Sequence, residues 1–158
     1  MASLRDRNRR HDAFFRKARS EGFAARSVYK LEELDRRLHL LRAGARVLVA
    51  DIFALSDQEL LCGQAAFDVV LSDMAPDTTG IRATDQARSA ALVEEALGRA
   101  ERLLAPLGVF VAKIFQSPEV ARIRARMSKR FSEVRLLKPE SSRGESTELY
   151  LVGKGFLP

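Results

Sequence analysis

The feature that most constrains the fold of this chain is a run of eight residues, Gly108 to Phe115 (GVFVAKIF), in which Lys113 is the only charged side chain. A strand that is apolar on both faces must be covered on both faces, which is typical of parallel strands in α/β proteins. The 158 residues suit one compact domain. We therefore expect an α/β sandwich with a mostly parallel sheet and helices on both faces, and ligands at the carboxyl ends of its strands.

Apolar periodicity predicts the elements around this strand. Thr84 is a candidate N-cap for a long amphipathic helix, which Pro106 and Gly108 end. Short apolar or β-branched runs bounded by turn residues predict further strands. The other predicted elements are a helix from Ser27 that Ala43-Gly44 ends, a helix from Ser117-Pro118 to about Arg130, and strands at 46–50, 67–71, 133–137 and 148–152.

The positive charge of the chain is concentrated at its start. The net charge is +6, and residues 1–30 hold nine basic against three acidic side chains, so this segment carries the whole excess. Residues 47–81 contain six acids and no base, whereas residues 120–139 contain seven bases against Glu133. Basic segments of this kind favour a polyanionic partner such as nucleic acid, bound through its phosphates. The alternative for residues 120–139 is a solvated helix face without a ligand.

The composition also excludes several classes of protein. A single cysteine, Cys62, excludes an intramolecular disulfide, and the two histidines do not supplement it into a zinc cluster, so we expect no metal. No run of apolar residues is long enough to span a membrane, and the amino terminus is charged where a signal peptide is apolar. We therefore expect a cytoplasmic monomer without a membrane partner.

Ionisable residues interrupt or follow the apolar strands at several positions. Asp73 follows the strand FDVVL, Lys113 lies inside the central run, and Glu148 begins the last strand. Lys30 lies near the start of the first amphipathic helix. A buried lysine is costly unless it is paired or functional, and burial beside another cation lowers the pKa of an amine. The four residues predict a catalytic cluster, although the same pattern fits an edge-strand lysine and two surface carboxylates.

Several motifs carry a resemblance to a known family. They are HDAFFRKARSEGFAARSVYKLEEL from His11, SDMAPDTTGIRATDQARSAALVEEAL from Ser72, the strand VFVAKIFQ and the ending KPESSRGESTELYLVG. Together they cover about 140 residues and resemble the FtsJ/RrmJ family of ribose 2'-O-methyltransferases. The closest resemblance is to bacterial enzymes that methylate a uridine of large-subunit ribosomal RNA.

The resemblance implies a Rossmann-like methyltransferase sandwich and S-adenosylmethionine as methyl donor. It implies a catalytic tetrad of Lys30, Asp73, Lys113 and Glu148, with Lys113 as general base. RNA binding is expected from the basic segment 1–25, and the methyltransferase domain from residues 26–158. The remaining expected site residues are Asp51, Ile52, Asp73 and Met74 for the cofactor, and Arg16, Lys17, Arg19, Arg26 and Arg143 for ribosomal RNA or the large ribosomal subunit.

The chain departs from the family pattern after its first predicted strand. Family members carry a glycine-rich turn there, of the form GAAPGGW, then a helix and a second strand, whereas residues 46–48 run straight into VADIFALSD. Deleting a central strand would leave unpaired backbone and a hole in the core. We therefore expect that the protein has a further segment between Leu48 and Val49 that the structure does not show. The other explanation is a true truncation of the chain. A truncation favours the second functional hypothesis, a catalytically inactive RNA-binding or ribosome-assembly protein.

Overall fold

The computed structural model describes residues 13–22, 27–41, 43, 45, 48, 51–140 and 146–158. These residues belong to two compact units, which we describe separately. The first unit comprises Met1–Ala43 and Pro139–Gly144. The second unit comprises Gly44–Lys138 and Glu145–Pro158 and contains the sheet.

The described residues of the first unit form two helices, α1 (Ala13–Ser20) and α2 (Ser27–Leu38). The predicted helix from Ser27 is confirmed, but it ends before Ala43-Gly44 because His39 adopts a left-handed conformation, with φ of 52°. Tyr29 donates a hydrogen bond to Glu21 Oε2 (2.6 Å), and Lys17 Nζ lies 4.7 Å from the centroid of the Tyr29 ring. Lys30 is buried on α2.

The described residues of the second unit form seven elements, most of them at the predicted places. The sheet strands and their helices alternate along the chain, as the α/β prediction requires. The elements are α3 (Asp57–Leu61), β1 (Phe67–Ser72), α4 (Arg82–Leu103), β2 (Leu104–Phe115), α5 (Glu119–Met127), β3 (Phe131–Leu137) and β4 (Glu148–Phe156).

The four strands form one sheet in the order β1-β2-β4-β3. β1 pairs with β2 in parallel, and β4 is antiparallel to both of its neighbours. Three strands therefore run in one direction and β4 runs against them, which confirms the α/β class and a mostly parallel sheet. The antiparallel pairing agrees with the ten residues between the end of β3 and the start of β4, which are too few for a crossover connection.

Helices α4 and α5 bury their apolar sides against the sheet. The core contains the fully buried side chains of Leu97 on α4, Phe110 on β2 and Ile123 on α5. Gly153 on β4 allows Phe131 to approach, since a Cβ there would lie 2.8 Å from the Phe131 ring. This packing fixes the positions of the strand ends, where the polar residues of the candidate site lie.

Three sequence predictions require correction. Helix α4 begins at Arg82, with Ile81 as N-cap and no side-chain cap, so Thr84 does not cap it. Strand β2 begins directly after α4, at Leu104, and includes Pro106 and Gly108. Of the predicted strand 46–50, only Leu48 is described; it lies outside any strand and is 45% exposed. The short helix α3 was not predicted, although Ser56 and Glu59 form a capping box, which is a sequence signal for the start of a helix.

A charged cluster joins α3 to α4. Asp57 accepts hydrogen bonds from Arg102 Nε (2.5 Å) and Arg99 Nη1 (2.6 Å). Donation from Arg102, followed by that from Arg99, holds the pKa of Asp57 below its usual value, although burial opposes the shift. The native state therefore favours the ionised carboxylate.

Replacing Asp57 gives a pH-dependent effect on stability. Asp57→Asn should lower the free energy of unfolding by about 1 kcal/mol at pH 7, because the site is partly exposed. A lowered native pKa stabilises the fold above the unfolded pKa of about 3.9, and this contribution is lost as pH falls through the native value. Urea denaturation between pH 7 and 3 should show the difference from wild type disappearing at the acid end. A difference that stays constant with pH would contradict the assignment.

Two features are absent from the described residues. Among them, no helix is both long and apolar enough to cross a membrane. In the same residues, no group of three or more His, Cys, Asp or Glu side chains is placed to hold a metal ion.

Candidate active site

The carboxyl ends of β1 and β2 bring two of the predicted catalytic residues together. Ser72, the last residue of β1, pairs in parallel with Ala112 of β2. Asp73 follows Ser72 and Lys113 follows Ala112, so Asp73 and Lys113 lie side by side. The apolar run of β2 buries Lys113, whose side chain is only 10% exposed.

Lys113 makes two contacts with Asp73. Its Nζ lies 3.1 Å from Asp73 Oδ1 and donates a hydrogen bond to the main-chain oxygen of Asp73 at 2.5 Å. The Asp73 side chain is 30% exposed, and no group in the described part of the chain donates to its Oδ2. The pair therefore has a buried amine and a carboxylate oxygen that remains open to a ligand.

A tyrosine completes this cluster from the neighbouring strand. Tyr150 of β4 is directly opposite Lys113 in the antiparallel register, and its hydroxyl donates to Asp73 Oδ1 at 2.8 Å. Burial raises the pKa of the Tyr150 hydroxyl, and the charge of Asp73 raises it further. Tyr150 therefore stays a hydrogen-bond donor around neutral pH.

Tyr150 is not among the site residues predicted from the sequence. The signal for a role was its spacing from Glu148, because residues two apart in a strand share one face. Glu148 pairs with Phe115 and accepts a hydrogen bond from Ser146 Oγ at 3.2 Å. Glu148 thus lies on the same face of the sheet as Lys113 and Tyr150.

Removing the Tyr150 hydroxyl tests its hold on Asp73. Tyr150→Phe should lower the free energy of unfolding by about 1 to 2 kcal/mol, because a hydrogen bond to a charged group is lost. Activity should fall without disappearing, since Lys113 keeps its own contacts with Asp73. Tyr29→Phe is the matched control, because it removes a hydroxyl bonded to a carboxylate in the other unit. Equal losses of activity in the two variants would contradict this role.

Comparison with known proteins decides the family. The model of FtsJ-like methyltransferases matches residues 43–156. The chain belongs to the FtsJ-like methyltransferase family. The resemblance drawn from the sequence motifs is thereby confirmed, and the methyl donor of this family is S-adenosylmethionine.

Relatives of this FtsJ-like methyltransferase have names that state a substrate. A protein of Sorangium cellulosum is 38% identical over 92% of this chain and 88% of its own length, and one of Nitratidesulfovibrio vulgaris is 40% identical over 92% and 93%. Both are called ribosomal RNA large subunit methyltransferase E. A crystal structure of a ribosomal RNA methyltransferase from Plasmodium falciparum covers 85% of this chain with a TM-score of 0.71, and at 18% identity it supports the fold alone.

The alignments also show what this FtsJ-like methyltransferase lacks. The match to the Sorangium cellulosum protein extends over 187 positions, although 92% of this chain is only about 145 residues, so about 40 positions have no counterpart here. Val49 lies outside the described residues, so the expected missing segment between Leu48 and Val49 stays a prediction. In the described sheet β1 is an edge strand, and Leu71 is 41% exposed. An exposed apolar residue there agrees with the loss of neighbouring strands.

The described residues fit one side of the methyl donor. Ile52 and Met74 are half-buried apolar residues that pack against the core, as a surface for an adenine ring requires. Asp51 is exposed, and its Oδ1 accepts a hydrogen bond from the Phe53 amide at 2.9 Å. No described residue corresponds to the glycine-rich turn that holds the methionine side in the family. The donor site of this FtsJ-like methyltransferase is therefore only partly represented.

The predicted RNA-binding residues fall into two groups. Arg16, Lys17 and Arg19 are exposed on α1 in the first unit. Arg26 and Arg143 lie outside the described residues. Lys30 also belongs to the first unit, so its place beside Asp73 and Lys113 stays a prediction.

Three of the seven bases of residues 120–139 form ion pairs within the described part of the protein. Arg122 pairs with Glu94, and Arg126 pairs with Glu101 at 2.6 Å, both across α4 and α5. Arg135 pairs with Glu133 at 2.5 Å. These pairs favour the alternative interpretation of this segment, a solvated helix and strand surface.

Proposed function

We propose that this chain transfers a methyl group from S-adenosylmethionine to a ribose 2'-hydroxyl of large-subunit ribosomal RNA, at a uridine. The observation that carries the proposal is the buried Lys113 amine against the open Asp73 carboxylate, at the carboxyl edge of the sheet. The names of the relatives support ribosomal RNA as the substrate. The cellular site of action would be the cytoplasm, where ribosomes assemble.

The central task of the site is to remove a proton from a poor nucleophile. When bound, S-adenosylmethionine would supply the methyl group and leave as S-adenosylhomocysteine once its methyl–sulfur bond breaks. Lys113 Nζ would accept the proton of the attacking 2'-hydroxyl. The neutral form of the Lys113 amine is the form that accepts this proton, because an ammonium has no free electron pair.

The other residues of the cluster orient this amine. Asp73 holds Lys113 through two contacts, and Tyr150 fixes the shared Oδ1 from the opposite side. Alignment of the reacting atoms contributes more to the rate than proton transfer does, since effective molarities reach about 10⁵ M. Lys30 and Glu148 complete the proposed tetrad, with Glu148 orienting Lys30 or the ribose.

The RNA would be held by the basic segment 1–25 beside a methyltransferase domain of residues 26–158. The proposed phosphate contacts are those of Arg16, Lys17, Arg19, Arg26 and Arg143. Contacts of this kind release counterions, so binding should weaken steeply with salt. The chain would act as a monomer on the RNA or on the large subunit.

Methyl transfer can be measured directly. Large ribosomal subunits that lack the family's methylation, and their naked RNA, are incubated with the protein and S-adenosylmethionine labelled in its methyl group. Digestion and mass spectrometry should locate the label on a uridine ribose. Label on a base, or on the protein alone, would overturn the proposal.

One observation favours a second function, the inactive RNA-binding or assembly protein. About 40 positions of the relatives are absent from the chain, including the family's turn for the methionine side of the donor. A calorimetric titration with S-adenosylmethionine distinguishes the two functions. Saturable donor binding supports the enzyme, whereas RNA binding without donor binding supports the second function.

A further inference from the structure

We propose that Asp85, Gln86 and Ser89, in the first two turns of α4, are positioning residues for the Asp73–Lys113 pair. They connect the ends of the three strands that supply Asp73, Lys113 and Tyr150. The inference deepens the proposed function and depends on it only for its kinetic readout. None of the three residues is assigned a role in the predicted tetrad.

Asp85 anchors the loop that follows Asp73. Its Oδ1 accepts hydrogen bonds from the Thr79 amide (2.7 Å) and hydroxyl (2.8 Å), and its Oδ2 accepts one from the Gly80 amide (3.1 Å). Donation from the Thr79 amide is the largest cause of a lowered pKa for Asp85, which keeps the carboxylate ionised. The loop from Asp73 is thus held by β1 at one end and by Asp85 at the other.

Ser89 holds the end of β2. Its hydroxyl is buried and accepts a hydrogen bond from the Phe115 amide at 3.0 Å. Phe115 is the last residue of β2, two residues beyond Lys113, and pairs with Glu148 across the sheet. The position of Lys113 along the sheet therefore depends on a side chain of α4.

Gln86 extends the connection to β4. Its Nε2 donates to the main-chain oxygen of Gln116 at 2.5 Å, and the Gln116 amide donates to the oxygen of Thr147 at 2.8 Å. Thr147 immediately precedes Glu148, the first residue of β4. The chain that leads to Tyr150 is thereby fixed to the same helix.

Two properties of this set indicate more than ordinary packing. Asp85 and Ser89 are buried polar residues four apart on one helix face, where burial of a polar group is costly unless it is hydrogen-bonded. Their side-chain hydrogen bonds go to segments that flank the site. Since Asp73 Oδ1 receives both Lys113 and Tyr150, a small shift of any of the three segments would separate them.

Two variants test the inference. Asp85→Asn keeps the shape of the side chain but cannot accept from both Thr79 and Gly80, and Ser89→Ala removes the acceptor for Phe115. Each should lower kcat by roughly 10- to 100-fold, because misplacement of reacting groups is costly, with the KM for RNA within about threefold of wild type. Asp68→Asn, an exposed carboxylate at the start of β1, is the control and should leave both constants unchanged.

A structural readout keeps the test independent of catalysis. In the full chain with ¹³C-labelled lysines, the Lys113 ε-carbon signal, assigned by its loss in Lys113→Arg, should move in both variants and stay in Asp68→Asn. Amide exchange should accelerate at Gly80 in Asp85→Asn and at Phe115 in Ser89→Ala. If wild type transfers no methyl group, the proposed function fails and these signals still decide the inference. Variants that lower only the melting temperature, with the Lys113 signal and kcat unchanged, overturn it, and Asp85→Asn decides if Ser89→Ala does not fold.

Discussion

Lys113→Met should lower the rate of methyl transfer by about 10²- to 10⁴-fold, the usual contribution of a general base. Methionine fills a similar volume in the apolar run of β2, so the fold should persist. Affinity for the methyl donor should stay within a few fold, because the role proposed for Lys113 is on the acceptor ribose. Single-turnover transfer of labelled methyl groups to RNA, with donor binding measured in parallel, checks both expectations.

A second substitution separates proton transfer from charge. Lys113→Arg keeps the positive charge beside Asp73, but a guanidinium does not lose its proton in proteins. It should therefore be as inactive as Lys113→Met. Lys129→Met, at an exposed lysine after α5, is the control and should retain wild-type activity. Substantial activity in Lys113→Arg would remove the base role and leave only an electrostatic one.

Asp73→Asn should lower the free energy of unfolding by about 2 to 3 kcal/mol, because it leaves the buried ammonium of Lys113 without its counter-charge. The expected loss is below that of a fully buried pair, since the Asp73 side chain is 30% exposed. Methyl transfer should also fall, because the amide has one acceptor oxygen for Lys113 and Tyr150 and no charge. Urea denaturation and the transfer assay measure the two effects.

The double variant identifies the cause of this destabilisation. In Asp73→Asn/Lys113→Met no buried charge remains unpaired, so stability should recover above that of Asp73→Asn alone. Activity should not recover, because the base is absent. If the double variant is no more stable than Asp73→Asn, the loss comes from the hydrogen bond of Tyr150 or from the loop, and the ion pair contributes little.

The periodicity of apolar residues predicted most elements of the second unit, because its strands and helices bury their apolar side chains against each other. The run of β2 and the apolar steps of α4 each have one structural interpretation. Their ends were less predictable, because backbone geometry rather than side-chain pattern sets them. Leu107 adopts a left-handed conformation, with φ of 66°, and Pro106 is accommodated within β2, so two apparent stop signals fall inside a strand.

The sequence predicted only those site residues whose charge stands out beside an apolar strand. Lys113 and Asp73 break or follow apolar strands, and the parallel register of β1 and β2 brings them together. Tyr150 gave no such signal, since tyrosine is common in strands and its role depends on lying opposite Lys113. Asp85, Gln86 and Ser89 of α4 gave no signal in the sequence either, because their hydrogen-bond partners are mostly backbone groups of other segments.

The antiparallel pairing of β4 determines which mutations of chain length this protein can tolerate. Side chains alternate between the two sides of a strand, so one residue inserted between Glu148 and Tyr150 would turn one of them to the opposite side of the sheet. An insertion ahead of β4 leaves this alternation unchanged. We therefore expect natural variation in length to avoid β4 itself, where the spacing of Glu148 and Tyr150 keeps both side chains on the face of Lys113.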